Sequence, residues 1–479
     1  MKLFSESNNY KLYNGDMLDM LEVIPKNSID AIVTDPPYEI GFMNKSWDST
    51  GIAYSVEAWK KCLQVLKPGG YMLVFGSARS HHRVTCAIED AGFRICDCIM
   101  WIFGSGMPKG MNIGLALDKR HGVESKPVSM QGTLPDFNDA GSKNSVNKIG
   151  VNDGETAERI PYVKYSAQNE WDGWNTQLKP AYEAIILAQK PCDGTILDNV
   201  ETYGVGGINV GECKIPFLSD QDYAITANKN QHEDFGTEPM TDNIVYGDYS
   251  MMKPKNYESD GRFPSNLILS YDDESFEEVC SGFPNTKSTG GSGEASRTST
   301  TELYSGGWNP DKICAHLGGL GDEGSAARYF YCAKASVRDR EEGIDGKEEE
   351  VRVTNQYEMP RENGTIRNVP KKKNNHPSVK PVDLMCYLVR LITPNGGTIL
   401  DPFNGSGSTG KATMYENNDH NKGYKYIGIE LDEHYCDISR ARIEYAESDC
   451  TKITEVGSDT KSNPVTKVVG IKAKKFFEI

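Results

Sequence analysis

The sequence predicts an α/β fold, because short apolar strands alternate with helical stretches near both ends of the chain. Residues 31–34 are apolar and largely β-branched, and they stop where two prolines can extend neither a sheet ladder nor a helix interior. The following residues predict a helix over 56–65, a turn over 67–70, and buried strands over 71–75 and 95–103. This alternation indicates a parallel sheet.

The last hundred residues repeat the alternation. They predict an amphipathic helix over 382–391, a buried strand over 398–400 and a second strand over 426–429. Between the strands, residues 401–410 form a Gly-rich loop that opens a helix, and an insertion over 416–425 lengthens the connection to the second strand. We expect this block and the N-terminal block to belong to one sheet.

The middle of the chain has a different composition. Residues from about 120 to 170 and from about 215 to 370 are rich in small polar residues with little periodicity, which is typical of loops. Residues 288–293 are the clearest flexible segment. Two islands, 182–188 and 328–333, are predicted to be ordered.

The composition excludes several classes of protein. With 38% hydrophobic residues, this 479-residue chain can bury a core, so it is not wholly disordered. No apolar run reaches the roughly 18 residues of a transmembrane span, and the first residues lack the apolar segment of a secretory signal. These features predict a cytoplasmic protein without a membrane partner.

The net charge of −16 argues only weakly against nucleic acid, because binding depends on a local basic surface. We therefore expect any nucleic-acid site to be a basic cleft on an acidic body. The twelve cysteines include no pair of CxxC motifs, so no metal site is predicted. Cys96 and Cys98, inside a predicted strand, are interpreted as reduced core thiols.

The Gly-rich loop is typical of a nucleotide-type site. Gly405 and Gly407 let the backbone approach a ligand closely, and the N-terminus of the following helix favours negative charge. Glu430 ends the next strand, where an acid can accept hydrogen bonds from ribose hydroxyls. The alternative interpretation is a tight turn beside an unrelated surface glutamate.

A P-loop motif overlaps this loop. Residues 405–411 satisfy its first seven positions, but the eighth must be Ser or Thr to hold magnesium and is Ala412 here. A P-loop NTPase is therefore a remote alternative. Lys411 is then predicted to be an ordinary residue of the first helical turn.

The Asp-Pro-Pro-Tyr element is a more specific signal. The Asp35 carboxylate and the Pro36 carbonyl can both accept hydrogen bonds from one exocyclic amino group, and the Tyr38 ring can stack on the base that carries it. Extruding a base costs a few kcal/mol, and stacking offsets about 1–3 kcal/mol of that. The alternative is a strand-terminating turn with a buried tyrosine, which the Gly-rich loop disfavours.

Together these motifs resemble the β class of exocyclic-amino DNA methyltransferases, which methylate adenine N6 or cytosine N4 with S-adenosylmethionine. The order, with the catalytic motif before the cofactor motifs, is typical of that class. The matching segments are Asn14-Gly15-Asp16, Thr34-Asp35-Pro36-Pro37-Tyr38, Asn375-His376-Pro377-Ser378-Val379-Lys380-Pro381, Asp401-Pro402-Phe403-Asn404-Gly405-Ser406-Gly407-Ser408 and Ile427-Gly428-Ile429-Glu430.

The resemblance implies a Rossmann-like methyltransferase sheet with helices on both faces, a permuted motif order and a large irregular α+β insert. Residues 1–110 would be the catalytic half of the core and 371–448 the cofactor-binding half. Residues 111–370 would be a target-recognition insert with some core-bordering segments, and 449–479 a C-terminal tail. Two segments, 101–109 and 179–183, are similar to family segments that border the base pocket.

The resemblance also implies the site residues. The catalytic element would be Asp35, Pro36, Pro37 and Tyr38, which hold the target amino group and stack on the flipped base. The cofactor would be held by Asp401, Phe403, Gly405 and Gly407 at its methionine end, Glu430 at its ribose and Asp16 at its adenine amino group, with His376 and Lys380 closing over it.

The implied reaction is a direct in-line transfer to the amine, helped by positioning and electrostatics. A cytosine-C5 enzyme would instead need a cysteine nucleophile. The pair Pro191-Cys192 lacks the glutamine usual there and lies on the wrong side of the insert. Asp at the first position of the catalytic element favours adenine N6, with cytosine N4 as the alternative.

Duplex DNA is the implied partner. A homodimer and a cognate restriction nuclease are further suggestions that the sequence alone does not decide. A DNA-binding decoy without methyl transfer is a remote alternative, against which the intact catalytic element speaks. Basic residues of the insert are candidate DNA contacts or plain surface charges: Arg262, Lys334, Arg338, Arg340 and residues 371–373.

Overall fold

The computed structural model describes residues 2–41, 46–103, 110–124, 126–128, 164–217, 223, 261–271, 285–287, 323–325, 330–334, 338–344 and 373–448. Several predictions fall outside these ranges: the flexible segment 288–293, the lysines at 371 and 372, the residues from 104 to 109 and the tail after 448. The side chains of Lys334 and Arg338 also lie outside the description.

Fourteen strands form within the described ranges. They are β1 Lys2–Glu6, β2 Tyr10–Asn14, β3 Ile29–Thr34, β4 Leu66–Ser77, β5 Arg94–Phe103, β6 Lys126–Val128, β7 Lys164–Ser166, β8 Tyr182–Gln189, β9 Leu267–Tyr271, β10 Asn285–Lys287, β11 Glu323–Ser325, β12 Tyr331–Lys334, β13 Thr398–Asp401 and β14 Lys425–Glu430. Ten form one sheet in the order β1-β2-β14-β13-β3-β4-β8-β5-β9-β12, while β6 pairs with β7 and β10 with β11.

Nine α-helices accompany these strands in the described part of the chain. They are α1 Met17–Val23, α2 Val56–Val65, α3 His81–Asp90, α4 Ile113–His121, α5 Ile196–Tyr203, α6 Arg338–Glu341, α7 Val382–Ile392, α8 Ser408–His420 and α9 Glu433–Ser448. Local sequence fixes several starts: Ser55 caps α2, and Thr195 with Asp198 forms a capping box on α5. In these ranges every helix is too short or too polar to cross a bilayer.

The two α/β blocks share one sheet, which confirms that prediction. Strand β13 of the C-terminal block pairs in parallel with β3 of the N-terminal block, and β14 pairs in parallel with β2. The prediction of a parallel sheet is wrong for β8, which runs antiparallel to both β4 and β5. The chain enters β8 from the edge where β4 and β5 end, so β8 must run in the opposite direction.

Helices cover both faces of the sheet, as predicted. Alternate residues of β3 point to opposite sides: Ala31 and Val33 join a buried cluster with α7, α8 and α9, whereas Ile32 joins a second cluster with α1, α2 and α3. The strands between the two clusters are therefore buried on both faces. Their ends remain the part of the sheet available to a ligand.

Two local predictions about turns and connections need correction. The predicted turn 67–70 lies inside β4, where the pairing with β3 jumps from Ile29–Leu66 to Ala31–Tyr71 and the four intervening residues bulge out. The predicted insertion 416–425 is partly helical, because α8 continues to His420. Only four residues then connect α8 to β14.

Cys96 and Cys98 are not core thiols. Cys96 is exposed and Cys98 is half-buried, and both are free. The reason is their position on β5: the described pairing with β9 starts at Met100, so the first half of β5 is an edge on that side. Exposure of an edge strand is not visible in the apolar pattern of the sequence.

Candidate active site

Four acidic side chains follow neighbouring strand ends. Asp16 follows β2, Glu430 ends β14, Asp401 ends β13 and Asp35 follows β3. These four strands are adjacent and parallel. Their carboxyl ends therefore lie along one edge, which is where open α/β sheets bind ligands.

Asp35 forms the centre of a polar cluster. Its Oδ2 accepts hydrogen bonds from Lys380 Nζ at 2.5 Å and from Ser378 Oγ at 3.1 Å. Its Oδ1 is buried and has no hydrogen-bond partner among the residues that the structure describes. Leaving a buried acceptor unpaired costs about 1–3 kcal/mol, so this oxygen is suited to a donor that a ligand brings.

Tyr38 and Glu183 complete the cluster. The Tyr38 hydroxyl donates to Glu183 Oε2 at 2.8 Å and accepts from Lys380 Nζ at 3.1 Å. Burial, together with the charges of Asp35 and Glu183, raises the pKa of Tyr38 well above its usual range. The tyrosine is therefore neutral and can donate.

Lys380 lies with the catalytic element and contacts two aromatic faces. Its Nζ lies 5.3 Å from the ring centroid of Tyr38 and 4.8 Å from that of Phe75. Burial alone would lower the pKa of Lys380, but the charges of Asp35 and Glu183 outweigh it and raise the pKa. Pro36 is buried and Pro37 half-buried beside this cluster.

Asp401 accepts hydrogen bonds from the turn and helix that follow it and from the neighbouring strand β3. Oδ1 accepts from Thr34 Oγ1 at 2.6 Å and from the Phe403 amide at 3.1 Å, and Oδ2 accepts from Thr409 Oγ1 at 2.7 Å. Burial raises the pKa of Asp401 to about 6, although these hydrogen bonds act in the opposite direction. The carboxylate thus ties β3, β13 and α8 together.

Glu430 supports the Gly-rich loop from the neighbouring strand. Its Oε2 accepts from the Gly405 amide at 2.7 Å, and its Oε1 accepts from the Asp432 amide at 2.9 Å. Burial raises the pKa of Glu430 to about 7. Each oxygen keeps one further acceptor position, so a hydroxyl group could still bind.

The Gly-rich loop approaches its neighbours closely. Gly407 has φ +77°, and a Cβ there would lie 2.3 Å from Ser439 Oγ in α9. A Cβ at Gly405 would lie 3.0 Å from His376 Nε2. Phe403 turns to the other side of the sheet, where its ring centroid is 6.2 Å from that of Trp59.

His376 lies over the Gly-rich loop. Its ring packs edge-on against the ring of Tyr435, with the two centroids 4.7 Å apart. Its backbone carbonyl accepts a hydrogen bond from Arg340 Nη1 at 2.7 Å. Burial lowers the pKa of His376 to about 4, so the ring is neutral at neutral pH. Asp16 is exposed and uses Oδ1 to cap α1 through the Leu18 amide at 2.8 Å.

Three side chains outside the predicted site residues also hold it together. Glu183 was noted only within a bordering segment, Thr34 only as part of a motif, and Arg442 had no sequence signal. Arg442 is fully buried in α9 and donates to the Ser406 carbonyl, and burial lowers its pKa to about 10. A polar residue at a strand end, such as Thr34, is the one signal that could have been used.

Two predicted basic residues have structural partners. Arg340 donates a hydrogen bond to the His376 carbonyl, and the Arg262 guanidinium lies 4.8 Å from the Phe217 ring centroid. Lys411 lies at the start of α8, as predicted, and it is fully buried and paired with Glu342 at 2.8 Å. It therefore does not point into the Gly-rich loop as a P-loop lysine would.

No group of metal-ligating side chains occurs within the described ranges.

Comparison with known proteins identifies relatives of the chain. A family model described as DNA methylase matches residues 29–121 and 177–441. The type II methyltransferase M2.LlaDCHI of Lactococcus lactis subsp. cremoris is 27% identical over 253 residues, which is 48% of this chain and 91% of that protein. The type II methyltransferase M.HindIII of Haemophilus influenzae is 22% identical over 240 residues, 41% of this chain and 64% of that protein.

Solved structures of similar proteins are more distant in sequence. The PvuII DNA methyltransferase, described as cytosine-N4-specific, matches with a TM-score of 0.38 and 12% identity over 99% of this chain and 96% of that chain. The complex of M1.HpyAVI with S-adenosylmethionine matches with a TM-score of 0.34 and 14% identity over 91% of this chain and 98% of that chain.

Proposed function

We propose, from the premise that this chain belongs to the DNA methylase family, that it transfers a methyl group from S-adenosylmethionine to adenine N6 in duplex DNA. The proposal rests on the Asp35 carboxylate. Its Oδ1 is buried without a partner in the described part of the chain, while Oδ2 accepts a hydrogen bond from Lys380. An exocyclic amino group has the two N–H donors that such a site would receive.

The proposed chemistry begins with the target amine. Its nitrogen lone pair is delocalised into the base, so the amine is a poor nucleophile. Hydrogen bonds from its two N–H groups to Asp35 Oδ1 and to the Pro36 carbonyl favour a pyramidal nitrogen, and the Tyr38 ring holds the flipped base by stacking. Positioning and fixed electrostatics supply most of the rate enhancement.

The residues along the strand ends fit S-adenosylmethionine. The N-cap residue of α8 is Gly407, which has no side chain that could cap the helix, so the first-turn amides are suited to a carboxylate such as that of the methionine end. Glu430 lies where it can accept from ribose hydroxyls, and the acidic Asp35 and Asp401 suit a sulfonium. When bound, the cofactor supplies an electrophilic methyl group.

The remaining cofactor contacts are assigned by position. Asp16 uses one oxygen to cap α1, and its exposed carboxylate is available to the adenine amino group. Phe403 and Gly407 belong to the loop that would border the methionine end. His376, which is neutral and packed on Gly405, would cover the cofactor next to the Gly-rich loop.

A rigid aromatic pair supports duplex DNA as the partner. Trp171 and Trp174 stack edge-on with centroids 5.1 Å apart, and they are 39% and 58% exposed. Their turn is held to α4 because the Ile113 amide donates to the Trp174 carbonyl at 2.9 Å. Seven residues separate Trp174 from β8, which carries Glu183, so we infer that the tryptophans contact bases near the flipped one.

The domain organisation follows from the same proposal. Residues 1–110 and 371–448 would be the two halves of the catalytic core. Residues 111–370 would be the target-recognition insert, which also adds β8, β9 and β12 to the sheet. The insert would thereby link DNA recognition to the catalytic edge.

Identification of the modified nucleoside tests the proposal. The protein is incubated with S-adenosylmethionine and mixed-sequence duplex DNA, and the digested DNA is analysed by mass spectrometry. N6-methyladenine is expected, because Asp rather than Ser opens the catalytic element. N4-methylcytosine would retain the mechanism and overturn the choice of base, whereas cofactor binding without any modified nucleoside on genomic DNA would favour a decoy.

A further inference from the structure

Glu183 connects the inserted part of the chain to the catalytic cluster. It is the second residue of β8, where it pairs with Ser77 of β4 and Trp101 of β5. From this position its carboxylate contacts the Tyr38 hydroxyl at 2.8 Å and Lys380 Nζ at 3.5 Å. The side chain is 22% exposed, so both contacts are largely shielded from water.

Lys380 is thus shared between two carboxylates. Its side chain is only 5% exposed, and its Nζ lies 2.5 Å from Asp35 Oδ2 and 3.5 Å from Glu183 Oε2. With both acids ionised, the cluster of two carboxylates and one ammonium carries a net charge of −1. A single protonation of Asp35 would bring it to zero, with Lys380 still paired to Glu183.

The proposed reaction releases a proton. As the amine nitrogen bonds to the methyl carbon, the carbon–sulfur bond breaks and its electron pair goes to sulfur. The nitrogen then carries one proton too many, and Asp35, which would accept a hydrogen bond from the amine, is the carboxylate that could take it. If Lys380 had no second carboxylate, neutralising Asp35 would leave a buried, unpaired ammonium, which is strongly unfavourable.

We propose that Glu183 is a positioning residue that holds Lys380 and thereby allows Asp35 to accept the proton released by the target amine. The inference rests on the proposed methyl transfer. It assigns Glu183 a role that acts through Lys380, separate from its contact with Tyr38.

Two substitutions separate these contacts. Glu183→Gln removes the charge, but its amide oxygen can still accept from the Tyr38 hydroxyl. Tyr38→Phe removes that hydrogen bond and keeps the charge and the ring. We expect Glu183→Gln to lower the single-turnover rate by about 10²-fold, within the range typical of proton-transfer groups, with the KM for DNA and cofactor nearly unchanged. Tyr38→Phe should cost less than about 10-fold.

A double-mutant cycle tests the route through Lys380. In a Lys380→Met background, adding Glu183→Gln should change the rate by less than about 3-fold, because the ammonium that Glu183 holds is gone. Glu89→Gln on the exposed surface of α3 is the matched charge control and should keep the parental rate. Thermal melts and cofactor titrations confirm that each variant is folded.

Three results would overturn the inference. They are a parental rate for Glu183→Gln, an equal loss from Glu183→Gln with and without Lys380, and a loss for Tyr38→Phe as large as that for Glu183→Gln. Failure of the proposed function is distinguishable from these, because the parental protein itself would then methylate no DNA.

Discussion

Asp35 and Asp401 follow adjacent parallel strands, but their carboxylates are satisfied in different ways. Both oxygens of Asp401 accept hydrogen bonds from Thr34, Thr409 and the Phe403 amide. Within the described ranges Asp35 has partners on Oδ2 alone, and its buried Oδ1 has none. The Asp401 carboxylate therefore stabilises the fold, whereas Oδ1 of Asp35 is available to a ligand.

Two carboxylates at the same sheet edge thus have different roles, one in stability and one in reactivity. The partners of Asp401 are neutral hydroxyls and an amide, which fix the Gly-rich loop without adding a charge. The partner of Asp35 at 2.5 Å is a charged ammonium from a segment 345 residues away. We infer that stability is concentrated around Asp401 and reactivity around Asp35.

The largest expected effect is loss of transfer in Asp35→Ala. Removing the acceptor for the target amine should lower the methylation rate by at least about 10³-fold, because such preorganised hydrogen bonds are worth about 10²–10³-fold or more. Cofactor binding should persist, since the Gly-rich loop is untouched. Methyl incorporation into DNA and calorimetric titration of the cofactor measure the two quantities. Comparable rates in variant and parent would refute the catalytic role.

A second prediction concerns the Gly-rich loop. Gly407→Ala places a Cβ 2.3 Å from Ser439 Oγ at φ +77°, so it combines a clash with left-handed strain. We expect a loss of about 2–4 kcal/mol in the free energy of unfolding, together with weaker cofactor binding. Urea denaturation measures the first quantity.

Gly396→Ala is the matched control for this loop. Gly396 has a similar φ of +76°, but a Cβ there meets nothing within 4 Å. Strain alone should cost about 1–2 kcal/mol and leave cofactor binding unchanged. Equal losses at both glycines would show that contact with α9 does not matter.

The same contrast explains what the sequence could predict. The Gly-rich loop is encoded locally, since a buried strand, a turn and a helix start follow one another between Thr398 and Ser408. The end of β3 at Thr34 is likewise set by the two prolines that follow Asp35. These elements were predicted within one or two residues of their observed bounds.

The polar cluster around Asp35 was only partly predictable, because it is assembled from distant segments. Asp35, Glu183 and Lys380 meet since β8 enters the sheet between β4 and β5 and runs antiparallel to both. No periodicity in the sequence specifies that direction. Lys380 was consequently predicted beside the cofactor, and its contacts with Asp35 and Glu183 emerged only from the fold.

The smallest expected effect is the pH dependence of stability that Asp401 introduces. Burial raises its pKa in the folded protein to about 6 from the ordinary value of 3.8 for an aspartate. Between these pH values the unfolded chain has already lost the proton that the folded protein keeps. The contribution of Asp401 therefore falls as the pH rises from about 4 to about 6 and is constant above that range.

Asp401→Asn removes this titration while retaining most of the hydrogen bonds. Its amide oxygen can accept from Thr34 and Phe403, and its amino group can donate to Thr409, whose own hydrogen can turn to the Val33 carbonyl at 3.4 Å. Relative to the parent, the variant should gain about 2 kcal/mol between pH 4.5 and 7.5. Urea denaturation at both values measures the difference. A constant difference would mean that Asp401 is ionised throughout, and the division of tasks between the two carboxylates would then need another explanation.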